Sequence, residues 1–223
     1  PAKALRTAIQ ARLASAPADV GTRLAAIQVL GTIGVAGDLA RLVGIAPRGA
    51  AGENALSQEA REALGSACRA ILQRDPSAFS ALAEVLPRTD ACAASALLEA
   101  VGSSKDPRAL EVLFAAAPVQ RDLGPQIAAL AFKCGASTDA VVNREFAAWL
   151  LSELETARPE YARSLLQAVG TLDDGACVPA MIARLSDTDV GVRDSALWAL
   201  RRVSGLAFPA TPTAWILWYR SEA

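Results

Sequence analysis

The side chains that could do chemistry in this sequence are few. Four cysteines stand at 68, 92, 134 and 177, about 24, 42 and 43 residues apart and without C-x-x-C spacing. Neither a zinc ribbon nor a thioredoxin-type redox motif is therefore encoded, and the thiols read as buried and free. Cys134 and Cys177 are the one pair that the repeat register described below brings near each other. The chain contains no histidine, which removes Ser-His-Asp and Cys-His catalysis and imidazole-ligated zinc or iron. No G-x-S-x-G, P-loop or G-x-G-x-x-G motif is present. No catalytic residue, metal ligand or cofactor is assigned from the sequence. The carboxylate pairs Asp173-Asp174 and Asp187/Asp189 could be taken for a metal or acid/base site. Their place in predicted turns before helices suits capping instead, where they accept orphan backbone N–H bonds and complement the helix dipole. Trp198, Trp215, Trp218 and Tyr219 concentrate the large aromatic area near the end of the chain. They read either as aromatic anchors for a ligand or partner or, preferably, as a cap that closes a terminal repeat.

The elements that must carry these residues are helices. Of 223 residues 52% are apolar and 20% charged, enough to bury a core. Fifty alanines and 28 leucines bias the composition toward helix formers. The phrases AIQVLGTIG (26–34), ALLEAVGSS (96–104), SLLQAVGTL (164–172) and ALWALRRVSG (196–205) are apolar helix ends followed by glycine. Gly34, Gly102, Gly135, Gly170 and Gly205 are separated by 68, 33, 35 and 35 residues, a period near 34 with Cys68 at the vacant position. Glycine there suits the left-handed residue that closes a helix. Second helices follow at 39–47, 79–87, 109–118 and 177–186. They align Leu39, Phe79, Leu110 and Val178 at one position, and Leu42, Leu82, Leu113 and Met181 one turn later. Asp75-Pro76 and Asp106-Pro107 mark two of their starts.

The predicted map is an N-terminal helix at 2–15, then pairs at 22–34 and 38–46, 57–73 and 76–86, 89–103 and 107–117, 121–135 and 139–155, and 159–170 and 175–185. A last pair, 189–204 with 212–220, forms the C-terminal repeat and cap. All twelve prolines fall at helix ends or connectors, as the cost of an interior proline, about 3 kcal/mol, requires. Residues 47–57 form a longer loop. Such pairs bury their apolar faces only by stacking on neighbours. The expected fold is all-α: one right-handed α-solenoid of about six helix pairs over residues 1–223.

Within it, CVPAMIARLSDTDVGVRDSALWALRRVSG (177–205) resembles the HEAT-like repeats of the phycobilisome-lyase type. The shared pattern is an apolar helix, an Asp-containing turn (Asp187, Asp189), Val192-Arg193, Ala196 and Leu200. The ending PTAWILWYRSEA is similar to the Trp-rich segment that closes bacterial HEAT-repeat proteins. The resemblance implies a protein-binding or scaffolding surface, with Arg193 paired to a turn carboxylate of the Asp187 or Asp189 class. It also leaves two enzyme alternatives, a phycobilin lyase or its subunit and an alkylpurine DNA glycosylase. HEAT-like deoxyhypusine hydroxylases are excluded, since their iron needs histidine.

In such folds the second helices line the concave face, which makes Arg41, Glu84, Glu111, Arg144 and Arg184 the predicted binding surface, a mixed-sign set suited to another protein. Twenty-two basic against 23 acidic side chains give no global attraction for nucleic acid, and none is expected as a partner. The longest uncharged run, Val203–Tyr219, contains Gly205, Pro209 and Pro212 and is no membrane span. A soluble protein is expected. Free thiols favour the cytoplasm, while a chain beginning at Pro1 leaves a removed leader or a longer solenoid open.

Overall fold

A computed structural model describes residues 2–15, 19–48, 56–172 and 174–222. Pro1, Asp173 and residues 49–55 of the predicted 47–57 loop lie outside the described residues. The chain divides into two compact units, Pro1–Leu123 and Gly124–Ala223. Unit 1 holds α1 (Ala2–Ser15), α2 (Val20–Ile33), α3 (Leu39–Ile45), α4 (Gln58–Arg74), α5 (Ala78–Val85), α6 (Ala91–Gly102) and α7 (Ala109–Ala116). Unit 2 holds α8 (Gly124–Cys134), α9 (Ala140–Leu154), α10 (Pro159–Thr171), α11 (Val178–Arg184), α12 (Val190–Ser204) and α13 (Pro212–Glu222). Among the described residues four single 3-10 turns, three of them leading into α3, α8 and α11, complete the predicted spans to within about two residues. Among the described residues there is no strand; Arg48 and Leu56 form an isolated bridge.

Local chemistry sets these boundaries. Asp19, Ser57, Asp90, Asp139 and Asp189 each sit in extended backbone immediately before a helix and accept a hydrogen bond from an N–H of its first turn, for example Ala60 N to Ser57 Oγ at 3.1 Å. Loss of such a cap costs about 1 kcal/mol. Asp75 and Asp106 act one step earlier, accepting from the N–H of Ser77 and Arg108 in the turns before α5 and α7.

Packing follows the periodicity. In unit 1, α4 lies between α2 and α6, and α5 between α3 and α7, giving two rows of helices. In unit 2, α10 lies between α8 and α12, while α11 contacts α12 and α13. The rows share a dry interior: Leu64, Cys68, Ile71, Phe79, Leu82, Leu97, Leu110 and Leu113 in unit 1, and Ile127, Phe146, Leu165, Leu166, Met181, Ala196 and Leu200 in unit 2 are all essentially inaccessible. Each large aliphatic side chain so buried contributes about 1.5–3 kcal/mol.

The periodic glycines divide into three classes. Gly135 and Gly205 take positive φ (77° and 72°) and end their helices as expected. Gly34 ends α2 in extended backbone, and Gly102 and Gly170 are buried inside helices, which corrects the reading of the whole series as left-handed closures. Gly170 serves close approach: a Cβ there would lie 2.8 Å from Ala199 Cα on α12. Gly31 repeats this in unit 1, with Ala67 Cα of α4 at 2.8 Å.

Candidate functional site

Several polar side chains join helices about one sequence period apart. The Arg74 guanidinium, at the end of α4, donates to the Gly31 and Gly34 carbonyls at 2.6 and 3.3 Å. It thereby satisfies acceptors that the end of α2 leaves open. The Gln120 amide donates to the Leu86 and Thr89 carbonyls at 3.0 and 2.7 Å. Asp75 Oδ2 accepts from Ala36 N at 2.8 Å, and Arg108 donates to the Pro76 carbonyl at 3.2 Å. These bonds join residues 31 to 43 apart in sequence, intervals that bracket the glycine period near 34. Sequence reasoning missed Arg74, Gln120 and Arg163 because periodicity identifies helix faces and carries no signal for which carbonyl a long side chain reaches.

The predicted turn residues lie together, with one change of partner. Asp189 caps α12 through Val192 N at 2.9 Å and accepts from two of the three guanidinium nitrogens of Arg163 on α10, at 2.9 and 3.0 Å from Nη2 and 3.2 Å from Nε. The Val192 N–H, and then Arg163, hold the Asp189 carboxyl below its ordinary value of 3.8. Arg193 instead donates to the Asp187 and Thr188 backbone carbonyls at 2.7 and 3.0 Å. The expected Arg193–carboxylate pair is thus corrected: Arg163 on α10 takes Asp189, and Arg193 closes its own turn.

The five predicted binding residues differ in freedom. Glu84 on α5 and Arg144 on α9 are exposed, and Glu111 on α7 is half-buried. Arg41 is tied to the buried Asp38 at 3.1 Å, which also takes Arg6 of α1 at 3.4 Å. Arg184 donates to the Leu154 carbonyl at 2.6 Å and pairs with Asp187 at 3.3 Å. Arg184 is therefore a brace for the end of α9, where an open contact was expected.

The four aromatic residues predicted to act together, Trp198, Trp215, Trp218 and Tyr219, fall into two clusters instead of one. Trp215 is fully buried, donates from Nε1 to the Pro209 carbonyl at 2.8 Å, and meets Phe208 and Trp218 edge-to-face at 5.2 and 5.9 Å. Tyr219 adjoins Trp218 at 6.5 Å. Trp198 stands apart: it is 37% exposed, crosses Gly170 on α10, meets Phe132 of α8 at 5.6 Å, and carries the Arg202 guanidinium 5.9 Å above its ring.

None of the four cysteines is in a disulfide, so the possible Cys134–Cys177 pairing is not made. Burial pushes the Cys68 and Cys177 thiols up to about 12 and Cys134 to about 11, away from the thiolate form that attacks or binds metal. Among the described residues no group of three or more Cys, Asp or Glu is placed to hold a metal ion. Nor, among them, is any helix long and apolar enough to cross a membrane. Two open hollows lie along the first row of unit 1. One, of about 580 Å³, lies between α2 and α4, and another, of about 380 Å³, between α4 and α6. Comparison with protein families, curated proteins and solved structures finds no match for this chain.

Proposed function

We propose that the chain is a HEAT-like α-solenoid that binds another protein along the face formed by its second helices, and that it does so without catalysis. The observation that carries this reading is the two-row packing within each unit, held by side chains that reach one repeat back, as Arg74, Gln120 and Arg184 do. Stacked repeats of this kind present an extended surface whose outward side chains are released from core duties. On this reading Glu84 on α5 and Glu111 on α7 line the surface in unit 1 and Arg144 on α9 lines it in unit 2; Glu84 and Arg144 are exposed and Glu111 is half-buried. Their mixed charge fits a protein partner better than a phosphate backbone. The compartment expected on the same reading is the cytoplasm.

Affinity isolation of the tagged chain from native lysate, with and without nuclease, tests the proposal. A stoichiometric protein that nuclease does not release is the expected result. Recovery of nucleic acid in its place, or turnover of a substrate by the purified chain, overturns it.

A further inference from the structure

The two units contain the same structural floor under different cover. In α2 it is Gln28, Gly31 and Thr32; in α10 it is Gln167, Gly170 and Thr171, the same Gln-x-x-Gly-Thr spacing. Each glycine meets the backbone of an alanine on the next first-row helix, Ala67 or Ala199, at the same 2.8 Å from a would-be Cβ to the alanine Cα. The residue before that alanine differs. In unit 2 it is Trp198, whose ring lies over Gly170, 2.9 Å from where a Cβ would stand. In unit 1 it is Ser66, too short to cross the glycine, and there the hollow of about 580 Å³ is open to solvent.

The chemistry of the open hollow complements what fills the closed one. Its walls are Leu24, Ala63, Ala67 and Ala70, small or apolar side chains that leave room for a large ring. Its rim carries the exposed carboxylates Glu59 and Glu62, and among the described residues no lysine or arginine lines it. In unit 2 the tryptophan is accompanied by Arg202, four residues on; the position four residues after Ser66 is Ala70. The unit 1 hollow thus lacks both the indole and the cation that its counterpart contains, and adds two negative charges.

We propose that this hollow is a binding site for a large aromatic side chain, tryptophan above all, presented beside arginine or lysine by a basic segment of a partner protein. Trp198 over Gly170 shows the kind of group such a floor accepts. Glu59 and Glu62 supply the matching charge and disfavour a nucleic acid, whose phosphates they would repel. The proposal rests on the protein-binding reading only for the class of occupant. It concerns the first row of helices, so its failure would leave the second-row surface of Glu84, Glu111 and Arg144 untouched.

The test is an NMR titration of the full chain with the blocked dipeptide N-acetyl-Trp-Arg-amide, with N-acetyl-Ala-Arg-amide as control. Saturable amide shifts are expected at Gly31, Thr32, Ser66 and Ala67 with the tryptophan peptide alone. Ser66→Trp, which would fill the hollow as Trp198 fills its own, should abolish them. The double variant Glu59→Gln/Glu62→Gln leaves the fold's interior untouched and should weaken binding about two- to threefold at low salt, as the exposed pairing of the peptide's single guanidinium warrants. Absence of saturable shifts up to the solubility of the peptide overturns the proposal. So do shifts that Ser66→Trp leaves intact in a folded variant, or equal shifts with the alanine peptide. Concentration-dependent association of the chain that Ser66→Trp abolishes would assign the hollow to a second copy and equally overturn it.

Discussion

Replacing Gly31 by alanine should destabilise unit 1, although helix propensity alone predicts the reverse. Alanine is favoured over glycine inside a helix by about 1 kcal/mol. At this position, however, the new Cβ would stand 2.8 Å from Ala67 Cα and 2.9 Å from its Cβ. The obstacle is backbone of α4, and α4 is packed on its other side against α6, so it has little room to withdraw. Forcing a methyl group into such a contact costs about 1–3 kcal/mol. The expected net effect is a loss of about 1 kcal/mol, which for a unit of this size lowers its melting temperature by about 4 °C. Gly44→Ala on α3 is the matched control. There a Cβ would meet nothing within 4 Å, and a gain of about 0.5 kcal/mol is expected from propensity and reduced freedom of the unfolded chain. Urea unfolding read through hydrogen exchange of unit 1 amides isolates the relevant transition. Equal stabilisation by both substitutions would refute the close approach of α2 and α4.

Other outcomes follow from the same geometry. Arg184→Met should cost unit 2 about 1–2 kcal/mol by leaving the Leu154 carbonyl without its donor, whereas Arg144→Met should stay within about 0.5 kcal/mol; comparable urea midpoints for the two would contradict the distinction. The Asp189 carboxyl should titrate below 3.8 when followed by carbon-detected NMR, and Arg163→Met should return it only part of the way, because the Val192 N–H is the larger cause. Since the folded value lies below the unfolded one, the stability Asp189 contributes is complete above about pH 5 and is lost as pH falls through the folded value; a folded value above 3.8 would reverse that sign. Iodoacetamide at pH 8 should leave Cys68 and Cys177 unmodified in the native chain while labelling all four cysteines in urea, as buried thiols raised to about 12 require.

The helices were legible because their ends carry local chemistry. Asp75-Pro76 and Asp106-Pro107 mark two starts, Asp189 precedes a first turn whose N–H groups need an acceptor, and the prolines stand where no interior N–H is lost. The two rows follow from apolar spacing, which makes Leu82 and Leu113 equivalent before any contact is known. What stayed hidden is non-local. Nothing near Arg74 in sequence indicates that it reaches the carbonyl of Gly31, 43 residues back. The period in glycine was visible, but its cause was mixed: Gly205 needs a positive φ, while Gly170 needs the absence of a side chain beneath Ala199. For the same reason Trp198 was grouped with Trp215 by proximity in sequence, although its ring turns across α10 to Phe132.

The central claim, a partner protein held along the second helices, is met most directly by hydrogen exchange of the chain with and without the stoichiometric partner isolated from lysate. The account predicts added protection on α5, α7 and α9, around Glu84, Glu111 and Arg144, and its loss on charge reversal of Glu84 and Arg144. Binding with no added protection on those three helices, or binding indifferent to the reversal, would contradict it.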